Sequence, residues 1–185
     1  TGMKGKVYVV DKSKERLKEL HDIFGDKIIP TQSDKTDLNK LVSECDLLIG
    51  GVLIPGAEAP KLVTKEMIKS MKRGSVIVDV AIDQGGCVET SKPTTHANPT
   101  YLVNDVVHYC VANMPGGVPR TSTMALNKAT LPLLTKLADQ GYKKTLQENK
   151  NYLAGLNVYR GKITCKGVAE AFNYKYVPPE EALSN

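Results

Sequence analysis

Short apolar segments alternate with amphipathic segments along most of this chain, and this alternation limits the folds open to it. Residues 7–10 form a short β-branched run, typical of a strand buried in a parallel sheet. Residues 14–24 follow with apolar side chains at helical spacing, and the same order then repeats. Strands separated by helices favour an α/β fold with a doubly wound parallel sheet.

The predicted elements have recognisable boundaries. Ser13 can cap the first helix and Gly25 can end it, while Thr64 can cap a later helix. We predict strands over residues 7–10, 27–30, 46–50, 75–80 and 106–111, and helices over residues 14–24, 37–45 and 64–71.

The pattern changes near Pro119, where the strand and helix alternation stops. A longer helix is predicted from about residue 122 to residue 140. Ser122 or Thr123 is a natural N-cap for this helix. Pro132 lies inside it and can bend it.

The C-terminal segment, residues 141–185, is more polar than the rest and cannot bury a good core alone. A chain of 185 residues is long enough for one domain and part of another. We therefore expect a sheet domain over residues 1–119 and a C-terminal part over residues 120–185. The C-terminal part is expected to pack on protein outside this chain.

The composition excludes several classes of protein. Hydrophobic residues make up 41% and charged residues 24%, which are ordinary globular values. The net charge of +5 comes from scattered lysines with no aromatic-interleaved basic stripe, so nucleic-acid binding is not expected. The four cysteines form no CxxC pair, so no metal site is expected, and a reducing, cytoplasmic location fits. No apolar run is long enough to predict a membrane span, and no signal peptide opens the chain.

An acid, Asp11, follows the first predicted strand. In dinucleotide-binding folds such an acid binds the adenosine ribose hydroxyls and favours NAD over NADP. A simple strand-end or helix-capping aspartate is the alternative, and on Asp11 alone it is favoured. The usual GxGxxG motif should lie about 20 residues earlier, but only ten residues precede Asp11. Either the cofactor interpretation is wrong or the chain is truncated.

Three further loops follow predicted strands, at the carboxyl edge of the sheet where ligands bind. Residues 50–56 are rich in glycine, which lets a backbone approach a ligand closely. A plain tight loop is the alternative there. Residues 113–123 join the last strand to the long helix, with Asn113 expected to end that strand on the ligand side.

The third loop, residues 80–86, places Asp83 at the end of an apolar strand and before Gly85 and Gly86. A buried acid in such a place needs a partner or acquires a shifted pKa. That environment suits a group facing a substrate ammonium, with two glycines that admit a ring. A turn-forming aspartate is the alternative.

Taken together, these segments resemble the alanine dehydrogenase family, to which nicotinamide nucleotide transhydrogenase is related. The resemblance runs in order along essentially the whole chain, through residues 52–56, 74–86, 94–96, 111–115 and 118–123. The transhydrogenases usually carry Glu-x-Gly-Gly where this chain has Asp83-Gln84-Gly85-Gly86. That difference favours the dehydrogenase.

The resemblance implies a Rossmann-type NAD-binding domain and a reaction. The reaction is the reversible oxidative deamination of L-alanine to pyruvate and ammonia, with NAD taking the hydride, in a homo-oligomer that is a hexamer. Asp83 is implied to be the catalytic acid and Asn113 to face the substrate. The residues implied to line the cofactor site are Asp11, Arg16, Ser33, Val52, Leu53, Val80, Ala81, Ile82, Asp83, Val111, Ala112, Asn113 and Met114.

The resemblance also implies what this chain lacks. The family's first strand, glycine loop, substrate-binding arginine and lysine, and catalytic histidine would lie before residue 1. None of His21, His96 and His108 matches that histidine, and His108 is interpreted as a core histidine. The chain alone is therefore expected to be inactive.

Two other functions remain open at this stage. The chain can be a nucleotide-site remnant that acts as an interaction module without catalysis. It can also be the transhydrogenase unit that delivers hydride to another protein.

Overall fold

The observed elements alternate between strand and helix over most of the chain. The structure is a computed structural model and describes residues 2–34, 37–54, 56 and 58–184. Its strands are β1 (Tyr8–Asp11), β2 (Ile29–Gln32), β3 (Leu47–Gly50), β4 (Val76–Asp79), β5 (Thr100–Val103), β6 (Val106–Tyr109), β7 (Val158–Tyr159) and β8 (Lys162–Ile163). Its α-helices are α1 (Lys14–Phe24), α2 (Leu38–Glu44), α3 (Lys65–Lys69), α4 (Pro119–Gln140), α5 (Tyr142–Glu148), α6 (Lys150–Ala154), α7 (Lys166–Ala171) and α8 (Pro179–Ser184). Short 3₁₀ helices cover Gly25–Lys27, Val80–Gln84 and Met114–Gly117.

A four-stranded sheet with the order β3-β4-β6-β5 forms the centre of the fold. β3, β4 and β6 are parallel neighbours, whereas β5 pairs antiparallel with β6 at the edge. Gly50 lies opposite Asp79 across the first pair, and Val78 lies opposite Tyr109 across the second. The three parallel strands therefore end at nearly the same level. The predicted α/β class with a parallel sheet is confirmed.

One face of this sheet packs against α2 and α3. Val42 of α2 and Ile68 of α3 join Ile77 of β4 and Val106 of β6 in a single buried cluster. Ile77 is completely buried. Because side chains alternate across a strand, Ile77 and Asp79 share this covered face.

The other face of the sheet is apolar but much less covered. Leu47 and Ile49 of β3 point to the side opposite Leu48, and their side chains are 53% and 65% exposed. In a fully doubly wound sheet these positions would be buried by a second layer of helices. The described residues place no such layer over them.

β1 and β2 form a separate parallel pair with α1 between them. The helix occupies the residues predicted for it, with Ser13 as N-cap and Gly25 at its end. β1 is less buried than expected, because Tyr8 and Val10 are exposed. Among the described residues, no strand pairing joins β1 or β2 to the central sheet, so the sheet is interrupted between β1 and β3. The sequence patterns do not reveal this interruption.

The β5–β6 hairpin was missed by the sequence analysis. Its two turn residues, Asn104 and Asp105, both have positive φ, at 51° and 60°. This is the conformation of a two-residue type I′ hairpin turn, in which Asn and Asp are favoured. The Asn-Asp pair between two apolar runs is the sequence signal for this hairpin.

The C-terminal part departs from the prediction at its start. α4 begins at Pro119 rather than near Ser122, and its N-cap is Val118 without a side-chain cap. The Ser122 hydroxyl instead donates to the Pro115 carbonyl at 2.9 Å. Proline at the first helical position needs no hydrogen-bond partner for its nitrogen, so it can open the helix earlier. None of the α4 residues is buried.

The buried core can be tested against the uncovered face with two matched substitutions. Ile77→Ala should lower the free energy of unfolding by about 2–5 kcal/mol, because it leaves a cavity in a fully buried site. Ile49→Ala, on the neighbouring strand but exposed, should lower it by less than about 1 kcal/mol. Urea denaturation of the two variants measures both values. Equal losses would contradict the assignment of the covered face.

Candidate functional site

Three of the predicted loops meet at one edge of the central sheet. β3, β4 and β6 run in the same direction, so the residues that follow them emerge together. These are residues 51–54, 80–84 and 110–114, and they include most of the predicted site. The topology therefore brings the segments of Val52, Asp83 and Asn113 to a common edge.

Asp83 lies in this edge, but not as predicted. β4 ends at Asp79, and Asp83 belongs to the 3₁₀ helix Val80–Gln84 that follows. Its side chain is exposed rather than buried. The apolar residues from Val76 to Ile82 do not show where the strand ends, because both β4 and the 3₁₀ helix contribute to them. An exposed carboxylate at the carboxyl edge can still reach a ligand.

The other residues of this 3₁₀ helix divide between inside and outside. Ala81 and Ile82 are buried, whereas Val80 is half exposed. Little of Ala81 or Ile82 is therefore available to contact a cofactor, and their predicted contacts stay a prediction. Val80 and Asp83 are the members of this segment whose side chains are open to solvent.

Asp79 is the buried acid of this region, and the sequence analysis missed it. Its side chain is fully buried. The Cys87 backbone N–H donates to its Oδ2 at 3.0 Å, and the Val88 N–H donates to the same oxygen at 3.2 Å. The two-residue period from Ile77 was the available signal, because it places Asp79 on the buried face.

The thiol of Cys87 completes the surroundings of this carboxylate. Burial, together with the charge of Asp79, raises the pKa of the Cys87 thiol to about 11. The thiol therefore stays protonated at neutral pH, and it lies 3.6 Å from Asp79 Oδ1, to which it donates.

The two glycines after Asp83 are explained by the protein itself. Gly85 and Gly86 have φ values of +88° and +76°, a region that favours glycine. A Cβ at position 86 would lie 2.7 Å from Asp79 Oδ2, and one at position 85 would lie 2.8 Å from Glu58 Oε1. Their absent side chains make room for Asp79 and Glu58, so the interpretation that they admit a ring is not needed.

The loop after β3 contains one glycine with open space. A Cβ at Gly51 would meet nothing within 4 Å. Val52 packs partly against the core, whereas Leu53 is exposed. Further along, the carbonyl of Gly56 lies so close to Gly167 of α7 that a side chain at position 167 would overlap it. The C-terminal segment therefore contacts this loop directly.

Asn113 lies beyond the end of β6 and caps the 3₁₀ helix Met114–Gly117. Its side-chain oxygen accepts from the Gly116 N–H at 3.2 Å. Its backbone carbonyl accepts from His96 Nε2 at 2.6 Å. The prediction that Asn113 ends a strand is wrong, because β6 ends at Tyr109. Among its predicted neighbours, Val111 is buried, Ala112 exposed and Met114 half-buried.

The remaining predicted site residues lie on the other sheet. Asp11 ends β1, and its Oδ1 accepts from the Ser13 N–H at 2.8 Å. The Asp11 carbonyl accepts from the Ser33 N–H at 3.0 Å, so these residues are neighbours. The Arg16 guanidinium is bonded to Glu19 on the helix surface, which directs it along α1. In the described part of the chain, no strand pairing joins Asp11, Arg16 and Ser33 to the edge of the central sheet that carries Asp83.

His108 is a core histidine, as interpreted from the sequence. It is fully buried, and burial lowers its pKa. Its Nδ1 donates to the Val106 carbonyl at 3.0 Å, and its Nε2 lies 2.7 Å from the Thr90 hydroxyl. Both ring nitrogens therefore have partners.

The described residues offer neither a metal site nor a membrane-spanning helix. Within residues 2–34, 37–54, 56 and 58–184, no group of three or more His, Cys, Asp or Glu side chains could hold a metal ion. In those same ranges, no helix is both long and apolar enough to cross a membrane.

Comparison with known proteins decides the family. Residues 1–166 match the family described as alanine dehydrogenase/PNT, C-terminal domain. The chain belongs to this family. The domain of the alanine dehydrogenase/PNT family is a Rossmann-type NAD-binding domain, and the observed sheet is of that type.

Relatives of the alanine dehydrogenase/PNT domain agree. The chain is 57% identical over 176 residues to an alanine dehydrogenase from Halomonas elongata, covering 95% of this chain and 47% of the relative. It is 53% identical over 183 residues to alanine dehydrogenase 2 from Staphylococcus aureus, covering 98% of this chain and 49% of the relative. The chain thus spans about half the length of these relatives.

Solved structures show the same fold. An L-alanine dehydrogenase structure matches with a TM-score of 0.79 and 47% identity, covering 93% of this chain and 47% of that one. A transhydrogenase from Sinorhizobium meliloti matches with a TM-score of 0.53 and 24% identity, over 71% of this chain and 44% of that one. The second match supports the fold alone.

The glycine packing of this alanine dehydrogenase/PNT domain can be tested with a matched pair. Gly86→Ala should lower the free energy of unfolding by about 1–3 kcal/mol, because its φ is positive and its Cβ would meet Asp79. Gly51→Ala should change it by less than about 0.5 kcal/mol, because its Cβ enters open space. Chemical denaturation followed by circular dichroism measures both. A neutral Gly86→Ala would show that the loop is not packed on Asp79.

Proposed function

We propose that this chain supplies the NAD-binding half of an enzyme that converts L-alanine to pyruvate and ammonia by reversible oxidative deamination. The observation that carries the proposal is the exposed Asp83 at the carboxyl edge, between the loops that follow β3 and β6. Relatives named alanine dehydrogenase, at 53–57% identity, support the reaction class.

The residues at the two sheet edges fit NAD. Asp11 uses its Oδ1 for the Ser13 N–H, while its Oδ2 has no protein partner among the described residues. A carboxylate with one free oxygen suits ribose hydroxyls and repels a 2′-phosphate. Gly51 leaves open space at the other edge, where a ligand can come close to the backbone. Asp11 and Ser33 would hold the adenosine end, and the loop of Asp83 would lie beside the nicotinamide.

The chemistry divides between the cofactor and this chain. Bound NAD supplies the hydride acceptor. The Asp83 carboxylate can take a proton at Oδ from a water or from the substrate nitrogen, and return it in the reverse direction. Its exposure allows that exchange with solvent. Asn113 contributes by shaping the neighbouring loop, since its side chain is engaged with the Gly116 N–H.

The organisation of the whole enzyme is part of the proposal. Residues 1–119 would form an NAD-binding domain that lacks its first strand and glycine loop. In the whole enzyme, that strand and loop would fill the interruption between β1 and β3. Residues 120–185 would connect to the substrate domain, and α4, which has no buried residue, supports such packing. We further propose a homo-oligomer, a hexamer, in the cytoplasm. The four free thiols support a reducing compartment.

Asp83→Asn tests the catalytic assignment. The chain is joined behind the N-terminal half of the Halomonas elongata relative, and the separate chain serves as a blank that should give no NADH from alanine. Asn keeps the size of the side chain but removes its proton capacity, so kcat should fall about 100-fold or more. The Kd for NAD should change little, because the adenosine contacts lie elsewhere.

Asp105→Asn is the matched control for this experiment. It is also an exposed acid, but it lies in the β5–β6 turn at the opposite end of the same sheet. The kcat of the Asp105→Asn fusion protein should stay within about 2-fold of the kcat of the parent fusion protein. A folded Asp83→Asn variant with near-normal kcat would return Asp83 to a turn role. A folded, NAD-binding parent without alanine turnover would contradict the proposed reaction.

Asp11→Ala tests the choice of cofactor. Removing the carboxylate should weaken NAD binding about 10-fold or more, since a hydrogen bond to a charged group is lost. It should also narrow the preference for NAD over NADP, because the repulsion of a 2′-phosphate disappears. Steady-state kinetics of the same fusion protein with NAD and with NADP measure the ratio of the two activities. Asp22→Ala, which removes an exposed acid of α1, is the control. An unchanged NAD/NADP ratio counts against the assignment of Asp11.

A further inference from the structure

The loop that carries Asp83 is pinned at both ends by one buried side chain. The chain leaves the sheet at Asp79 and returns to the core at Cys87 and Val88. The Asp79 carboxylate binds both of these returning residues. We propose that Asp79 is a positioning residue, whose buried carboxylate sets where Asp83 stands at the edge of the sheet. This inference rests on the proposed function of Asp83.

The contacts of the carboxylate explain how it closes the loop. Oδ2 accepts the backbone N–H groups of Cys87 and Val88 at 3.0 and 3.2 Å, and Oδ1 lies 3.3 Å from the same Cys87 nitrogen. The Cys87 thiol donates to Oδ1 at 3.6 Å. In the sequence, Asp83 lies midway between Asp79 and Cys87. Its position therefore depends on a bond network that it does not itself join.

The surrounding backbone leaves space for this carboxylate. A Cβ at Gly86 would clash with Asp79 Oδ2, as described above. A Cβ at Gly50, opposite Asp79 on β3, would overlap the Cys87 sulfur and lie 3.5 Å from Asp79 Oδ1. Glycines on both sides thus admit the acid and the thiol together. A leucine of similar size would fill the space but offer no acceptor.

A second set of contacts holds the outside of the same loop. The Lys61 ammonium donates to the carbonyls of Gly85 and Gly86, the second at 2.8 Å. The Ala59 N–H donates to the Gln84 carbonyl at 2.9 Å. Lys61 is exposed, so solvent weakens its contribution. Of the two charged side chains that hold this loop, Asp79 is the buried one, and water does not compete for its bonds.

The experiment compares three variants. Asp79→Leu removes every acceptor, and Asp79→Asn keeps one oxygen that can accept both backbone N–H groups. Ser75→Ala is the control, because Ser75 lies just before the same strand, is also buried and donates to the Cys45 carbonyl, but is remote from the loop. Amide hydrogen exchange is measured on this chain, and kcat and KM on the fusion protein described for Asp83.

Asp79→Leu should speed exchange at Cys87 and Val88 about 10-fold or more, because their acceptor is gone. It should lower kcat about 10-fold or more through misplacement of Asp83, while the KM for NAD changes less than about 3-fold. Asp79→Asn should lie between Asp79→Leu and the parent in both measurements. Ser75→Ala should lower the melting temperature but leave kcat and the exchange of residues 80–88 unchanged.

The proposal is overturned if Asp79→Leu and Ser75→Ala lose kcat in proportion to their melting temperatures. It is also overturned if the exchange of Cys87 and Val88 is no faster than in Ser75→Ala. If Asp79→Leu does not fold, Asp79→Asn against Ser75→Ala decides by the same criteria. A parent without alanine turnover refutes the proposed reaction instead, and amide exchange then decides the role of Asp79.

Discussion

The parallel pairing of β3, β4 and β6 is the constraint on which the candidate site depends. Loops from separate parts of the chain can meet only if the strands before them run in the same direction and end at the same level. The register that sets Gly50 beside Asp79 satisfies that condition. Beyond the sheet, each loop needs hydrogen-bond partners of its own. The buried Asp79 carboxylate accepts hydrogen bonds from the loop after β4. His96 donates a hydrogen bond to the Asn113 carbonyl in the loop after β6.

Elements with local signals were predicted well from the sequence. α1 has the predicted bounds because Ser13 offers a capping oxygen and Gly25 can adopt a positive φ, and both are local properties. The central strands were placed within one or two residues because each is a short apolar run between polar segments. The edge to which Asp83 belongs also followed, since in a parallel sheet the residue after a strand must lie at its carboxyl end.

Other features depended on tertiary contacts that no short pattern contains. The two-residue period from Ile77 places Asp79 on the buried face, but it gives no sign of the partners of this acid, which lie eight and nine residues later. Asp83 was expected to be buried because the 3₁₀ helix that exposes it shares the apolar pattern of the strand before it. The interruption between β1 and β3 could not be seen either. Periodicity describes each strand by itself, not which strand lies beside it.

The contact between Gly56 and Gly167 has a mechanical consequence. Here two backbones meet without a side chain between them, so no rotamer change can absorb a relative displacement. Movement of α7 towards the loop after β3 would therefore displace that loop, because neither glycine has a side chain that could rotate out of the way.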